Sequence, residues 1–115
     1  SIDLQTQRDR NPAFITLSDG SVRNTYTIRV ENRASRARSI ALDIESPIGL
    51  AWHAVGSEAL ATRVDLAPGE ERKLRIFLTG PRAVTCEFKL AFVARDVITG
   101  EARSSPSVFV AGRGS

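Results

Sequence analysis

The sequence is poor in the side chains that most often bind metal ions or act as nucleophiles. Among its 115 residues there is no methionine, one cysteine (Cys86) and one histidine (His53). A zinc or copper site usually needs several histidine, cysteine, methionine or carboxylate ligands that converge. A single cysteine excludes an intramolecular disulfide, and a single histidine restricts a histidine-based catalytic triad. We therefore expect no catalytic residue and no metal site in this chain.

Long apolar runs and catalytic motifs are missing as well. No stretch approaches the roughly 18 apolar residues that a membrane-spanning helix needs, and no signal-peptide pattern is present. Because the chain starts at Ser1 without a methionine, we expect it to be a piece of a longer protein. There is no Gly-x-Ser-x-Gly elbow and no glycine-rich phosphate loop. A glycosidase-like pair of catalytic carboxylates is the one enzyme site that the sequence does not exclude.

Lysine is scarce, although the chain is basic. There are 14 arginines and 2 lysines, and the net charge is +3. The arginines are scattered from Arg8 to Arg113 with acidic residues between them, and the densest group is Arg33, Arg36 and Arg38. No basic helix or interleaved aromatic platform is present. We therefore expect a solvated, arginine-rich surface and no nucleic-acid partner.

The pattern that is present has a period of two. Apolar and polar residues alternate around residues 26–30, 40–44 and 74–78, which is typical of strands with one buried face. No stretch keeps a helical period. Together with 42% hydrophobic and 25% charged residues, this predicts one all-β globular domain. An immunoglobulin-like β-sandwich fits best, and a small barrel is the alternative.

Turn residues divide these segments. Asp19-Gly20 is typical of a hairpin, and Pro68-Gly69 fits the central positions of a type II turn. Thr99-Gly100 separates the last two candidate strands. Pro106 cannot donate a ladder hydrogen bond, so it predicts an edge strand or a bulge.

These signals predict seven to nine antiparallel strands. They lie near residues 4–8, 13–18, 22–32, 38–45, 50–55, 60–66, 71–79, 86–98 and 102–111. The first two can also be one edge strand that is broken at Asn11-Pro12. We expect residues 1–111 to form a single domain and residues 112–115 to be a disordered tail.

Strand parity predicts where the special side chains point. Cys86 shares its parity with Phe88 and Phe92, which predicts a thiol packed in the core rather than a reactive or metal-binding one. If Trp52 points inward, then His53 points to solvent. A buried tryptophan between sheets is the commoner arrangement, and a ligand-stacking Trp52 is the alternative.

The most distinctive polar segment lies around the first turn. Its aspartates can pair with arginines and its asparagines can bond turn backbone, which would give it a structural role. The functional interpretation is a docking surface made of Arg8, Asp9, Arg10, Asn11, Asp19, Arg23 and Asn24.

The same segment carries a family resemblance. The run RDRNPAFITLSDGSVRNTYTIRVENR resembles the start of the C-terminal domain of the FixG/CcoG family, the cytochrome c oxidase accessory proteins. The resemblance is strongest over residues 7–33 and continues as a strand pattern to about residue 111. The later run LAPGEERKLRIFL is generic to bacterial immunoglobulin-like domains.

The resemblance implies a larger membrane protein. Family members have transmembrane helices and a ferredoxin-like part with 4Fe-4S clusters, and they serve the assembly of a copper- and haem-containing oxidase. It implies that this chain is a non-catalytic, periplasmic interaction domain without a cofactor of its own. Expected partners are oxidase subunits or a copper donor, with membrane attachment only through other segments. The alternatives are a domain that itself binds copper and a carbohydrate- or cell-surface-binding module.

Overall fold

The chain folds into β-strands joined by short turns. A computed structural model describes residues 1–55 and 63–112, and it contains no helix long and apolar enough to cross a membrane within those ranges. The strands are, in chain order, β1 (Ile2–Arg8), β2 (Ile15–Thr16), β3 (Val22–Asn32), β4 (Arg38–Glu45), β5 (Ala51–Ala54), β6 (Arg63–Leu66), β7 (Glu71–Gly80), β8 (Phe88–Asp96) and β9 (Ala102–Phe109). The start of the strand expected near 60–66 and residues 113–115 of the expected tail lie outside the described ranges.

The strands form two antiparallel sheets. Sheet A has the order β1-β3-β7-β5, with the short β2 also paired to β3, and sheet B has the order β6-β4-β8-β9. This arrangement confirms the predicted immunoglobulin-like sandwich. β1 and β2 lie along the same side of β3, so they form one edge that is interrupted between residues 9 and 14. Pro106 lies in β9 at the edge of sheet B, as its missing N–H predicts.

The inward face of β3 forms the middle of the core. Its alternate side chains from Val22 to Asn32 are all buried, and Tyr26, Ile28 and Val30 are fully shielded from solvent. Tyr26 and Trp52 each meet the ring of Phe92 in sheet B edge-on, with ring centroids 5.0 Å and 5.9 Å apart. Burying each large apolar side chain stabilises the fold by about 1.5–3 kcal/mol. The sandwich is therefore held mainly by contacts between the two inner faces.

A buried ion pair organises the turn between β8 and β9. The Arg38 Nε donates to Asp96 Oδ2 over 2.7 Å, and both side chains are almost fully buried. Asp96 Oδ1 accepts the backbone N–H groups of Ile98 and Thr99 at 2.8 Å and 3.1 Å, and Arg38 also bonds Glu101. One carboxylate thus fixes the path of this turn.

The glycine turns have the geometry that the sequence predicts. Gly69 has a φ of +75° and Glu70 N–H donates to Ala67 O over 3.0 Å, which is consistent with the predicted type II turn at Pro68-Gly69. Gly20 has a φ of +86° and its N–H donates to Leu17 O over 2.9 Å. The hairpin between β2 and β3 therefore needs a left-handed residue at position 20.

We expect Gly20→Val to lower the free energy of unfolding by about 1 kcal/mol or more, because a β-branched residue is strained at positive φ. The new Cβ would also meet the Arg82 side chain at 3.3 Å. Gly49→Ala is the control, since Gly49 is not among the positive-φ glycines and a Cβ there meets nothing within 4 Å. Urea denaturation of both variants measures the difference. Equal stabilities would show that position 20 does not constrain the turn.

The ion pair predicts an acid dependence of stability. The hydrogen bond from Arg38 is the largest of the effects that lower the pKa of Asp96 below its usual 3.8. The folded protein therefore binds this proton less readily than the unfolded chain, so the contribution is complete above about pH 4 and is lost as the pH falls toward the folded pKa. We expect Asp96→Asn to lower stability at pH 7 and to flatten the loss of stability below pH 4.

Chemical denaturation between neutral and acid pH checks this expectation. Glu71→Gln is the control at pH 7, because it removes only an exposed contact of 3.6 Å with Arg29, and such pairs contribute little. An Asp96→Asn variant as stable as the Glu71→Gln variant at pH 7 would contradict the assigned role of the buried pair.

Candidate functional site

The edges of the two sheets meet along β1 and β9. Thr6 Oγ1 and Ser105 Oγ share a hydrogen bond of 2.8 Å, and Arg103 Nε donates to Ile2 O over 3.2 Å. Beside this contact a groove of about 520 Å³ opens on the surface. It is lined by Thr6, Gln7, Arg8, Arg10, Lys89, Pro106, Ser107 and Val108. The polar segment found in the sequence therefore forms one wall of a groove, and β9 forms the other.

Side chains from β3 hold the β9 wall in place. Tyr26 OH donates to Val108 O over 2.7 Å. Asn24 Nδ2 donates to Val110 O over 2.9 Å, and Val110 N–H donates back to Asn24 Oδ1 over 2.8 Å. Burial raises the pKa of the Tyr26 phenol, and the positive charge of Arg8 opposes that rise. The wall is thus attached to the opposite sheet through three buried or half-buried hydrogen bonds.

Asn24 was expected on the docking surface, and that expectation is wrong. Its side chain is fully buried and belongs to the same inward row as Val22 and Tyr26. The strand parity that placed Tyr26 inside also places Asn24 inside, two residues earlier. Its role is to pair the backbone of Val110 rather than to meet a partner.

Arg8 is fixed by the loop that follows it. Its Nη1 donates to Asp9 O over 2.8 Å and to Ala13 O over 3.1 Å. These bonds tie the end of β1 to the interruption before β2. No carboxylate lies within ion-pairing distance of Arg8 in the described part of the chain. Arg8 thus brings a positioned charge to the groove.

Asp9 has a structural partner on sheet A. Its two carboxylate oxygens each accept a hydrogen bond of 2.9 Å from Arg75, and Arg75 Nη1 also donates to Thr27 Oγ1 over 3.0 Å. The bond from Arg75 is the main reason that the pKa of Asp9 is lowered. The predicted pairing of Asp9 with an arginine is confirmed. Arg75 is therefore the main partner of the Asp9 charge, and the positive charge of Arg8 adds a smaller attraction.

Arg10 and Asn11 are exposed. Arg10 lines the main groove and also a neighbouring hollow of about 390 Å³, which is formed by residues 7–11 and Thr27. Neither Arg10 nor Lys89 takes part in an ion pair within residues 1–55 and 63–112. The main groove therefore has three cationic side chains in its lining and no carboxylate.

Asp19 and Arg23 do not line this groove. Asp19 Oδ1 accepts hydrogen bonds from the backbone and side chain of Ser21, and the side-chain bond is the largest effect that lowers its pKa. Arg23 lies over the Phe77 ring, with 4.0 Å between its guanidinium carbon and the ring centroid. These two residues shape the hairpin and the outer face of sheet A. Only part of the predicted docking set is thus brought together.

Cys86 was expected in the core, and the structure places it on the surface. β8 begins at Phe88, so the alternation that makes Leu90 and Phe92 inward-facing does not extend back to position 86. Trp52 does point inward, with only 7% of its surface exposed, and the adjacent His53 is half-buried. Strand parity predicted Trp52 correctly inside β5 and failed at Cys86, which precedes the first residue of β8.

Sequence reasoning also missed several surface residues. Lys89, Pro106 and Val108 reach the groove only because β8 pairs with β9 and the sandwich closes beside β1. Ile98 is 82% exposed at the tip of the β8–β9 turn, although residues 86–98 were expected to be one strand. The Thr99-Gly100 pair indicated the turn correctly. Val97 and Ile98 were assigned to the strand because β-branched side chains are common in strands.

A second, mostly apolar cleft is lined by β4 of sheet B, β5 of sheet A and the loop that joins them. It has a volume of about 500 Å³ and includes Ile44, Ile48, Leu50 and Trp52 in its lining. The Trp52 indole Nε1 is buried and has no hydrogen-bond partner among the described residues. In the same ranges, no three His, Cys, Asp or Glu side chains converge as a metal site would require. The cationic groove remains the arrangement with the clearest binding chemistry.

Fold and groove together define an immunoglobulin-like β-sandwich with a basic surface groove. The chain matches, over residues 1–112, the family described as "IG-like fold at C-terminal of FixG, putative oxidoreductase". The chain belongs to this FixG C-terminal immunoglobulin-like family.

Similar proteins are found in two bacteria. Protein RdxB of Cereibacter sphaeroides is 31% identical over 118 aligned positions, which cover 99% of this chain and 24% of RdxB. Protein RdxA of the same organism is 37% identical over 71% of this chain and 17% of RdxA. Nitrogen fixation protein FixG of Rhizobium meliloti is 33% identical over 79% of this chain and 18% of FixG. The chain thus spans at most about a quarter of the length of these relatives.

A solved structure has the same fold. The crystal structure of a FixG-related protein from Vibrio parahaemolyticus matches with a TM-score of 0.81, covering 96% of this chain and 95% of that one. The identity is 22%, so this match supports the fold alone.

The surface position of Cys86 makes a direct prediction. We expect a disulfide reagent to label Cys86 in the native protein at a rate close to that of the denatured protein, because an exposed thiol needs no unfolding to react. The reaction is followed by absorbance with and without denaturant at one pH. Slow native labelling that becomes fast in denaturant would place the thiol inside the sandwich after all.

Proposed function

We propose that the chain is a non-catalytic interaction domain of a longer, membrane-bound iron–sulfur protein of the FixG family. In this proposal it lies on the periplasmic side of a bacterial inner membrane and serves cytochrome c oxidase assembly and copper handling. Its partners are oxidase subunits or a copper donor. The iron–sulfur clusters and the membrane attachment belong to the rest of that longer protein.

The groove between β1 and β9 is the observation that supports this proposal. It combines three cations with an apolar wall from Pro106 and Val108, a mixture that suits a protein surface better than a small apolar ligand. The wall from Arg8 to Arg10 also lies in the run that carries the family resemblance. The family assignment and the short share of each relative that is matched support a domain appended to a larger protein.

Direct copper binding is the second candidate function. The exposure of Cys86 favours it, because Cu(I) prefers sulfur ligands and a surface thiol can reach the ion. The half-buried His53 in β5 offers one imidazole, and the described residues add no converging group of three ligands. The carbohydrate-binding alternative required an exposed Trp52 on a flat face, and only 7% of the Trp52 surface is exposed.

Co-purification from membranes tests the interaction role. The longer protein is isolated with and without this domain, and oxidase subunits and copper proteins are quantified in each sample. We expect their recovery to fall when the domain is removed, while the abundance and iron–sulfur absorbance of the remaining protein are unchanged. Unchanged recovery of these partners would contradict the proposal.

Titration with Cu(I) against a competing chelator separates the second candidate from the first. A stoichiometric, tight site that is abolished by Cys86→Ala or His53→Ala would favour direct metal handling. Weak binding that both variants retain would favour the interaction role.

A further inference from the structure

The charge of the β1–β9 groove indicates the chemistry of its partner. We propose that the groove binds a short acidic segment of a partner protein, whose carboxylates are held by Arg8, Arg10 and Lys89. This inference rests on the proposed function as an interaction domain, and it names what that domain recognises.

The electrostatics of the groove favour an anion. Its lining holds three cations and no carboxylate. The adjacent carboxylate of Asp9 is bound through both oxygens by Arg75, so it offers little compensation to the exposed Arg10. Cations gathered in a concave surface raise the local concentration of negatively charged partners and accelerate their association.

The cations differ in how firmly they are placed. Two backbone carbonyls hold the Arg8 guanidinium through Nη1 alone, and its remaining N–H groups form no bond with the described residues. Arg10 and Lys89 are exposed and can adjust to a ligand. Arg8 can donate to a carboxylate only through Nη2, because both N–H groups of Nη1 are engaged and its Nε is buried. The exposed Arg10 can hold a carboxylate with two parallel hydrogen bonds, so one fixed guanidinium beside two adaptable cations suits several carboxylates along a chain.

The backbone of β9 has little to offer a partner. Pro106 has no N–H, the carbonyl of Val108 accepts from Tyr26, and Asn24 occupies both backbone groups of Val110. Recognition by strand addition needs a row of free backbone groups at a sheet edge. These occupied or missing groups disfavour strand addition at this end of β9, so we expect the groove to recognise its partner through side chains and the acidic character of the segment to determine binding.

An acetylated, amidated hexaglutamate peptide is the probe, titrated into the 115-residue chain and followed by NMR. At about 20 mM salt we expect shifts confined to residues 6–10, 89 and 105–108, and we expect binding to weaken as salt rises to about 300 mM and shortens the screening length. The double variant Arg10→Gln/Lys89→Gln should bind at least about tenfold more weakly. Arg8 is left in place because its bonds hold the loop.

The matched control is Arg63→Gln/Lys73→Gln. It removes the same two kinds of charge from exposed positions outside the groove, and neither side chain has a hydrogen bond or ion pair within the described residues. We expect it to bind like the unmodified chain. Equal weakening in both double variants would show that only net charge matters and would overturn the groove assignment.

Two further outcomes would overturn the inference. The first is no binding of hexaglutamate by the unmodified chain. The second is groove-dependent binding of phosphatidylglycerol vesicles without binding of the peptide, which would assign the groove to a lipid surface. If the peptide does not bind but partner recovery still depends on the domain, the inference fails while the proposed function stands.

Discussion

Polar side chains of the central strand β3 hold the edge of the opposite sheet, and the rest of the domain depends on that attachment. The Asn24 amide bonds both backbone groups of Val110, and Tyr26 bonds the carbonyl of Val108. A buried polar group without a partner costs about 1–3 kcal/mol. Any other position of β9 would break these bonds and incur that cost. Apolar contacts favour closing the two sheets, whereas these bonds determine how they close.

This attachment also determines the surface. Tyr26 binds the carbonyl of Val108 and Asn24 binds both backbone groups of Val110, just after β9. This end of the seam between β1 and β9 therefore presents side chains rather than an open sheet edge. Such an edge would otherwise favour uncontrolled strand pairing. The seam gathers Arg8, Arg10 and Lys89 around one groove, while Asp9 is bound by Arg75. The bonds that hold the sheet edge thus also preform a cationic surface. A preformed surface lowers the conformational entropy that is lost when a partner binds.

The sequence predicted the fold because period-two alternation and turn chemistry are local. It placed β3, β4 and β7, the turns at Gly20, Gly69 and Gly100, and the edge position of Pro106. It failed for Asn24, where a polar residue type was weighed above strand parity, and for Cys86, where parity was extended beyond the start of β8 at Phe88. Lys89 could not be assigned to the site from sequence, because its position depends on strand pairing and sandwich closure between distant segments.

Native-state hydrogen exchange at the Val110 amide tests this account most directly. That N–H is bonded to a fully buried side chain, so it should exchange only through global unfolding, at a rate like that of amides in the middle of β3. The exposed turn at Ile98 provides the internal contrast. Exchange of Val110 at the rate of a frayed strand end would show that β9 is not held by β3, and the groove would then not be preformed.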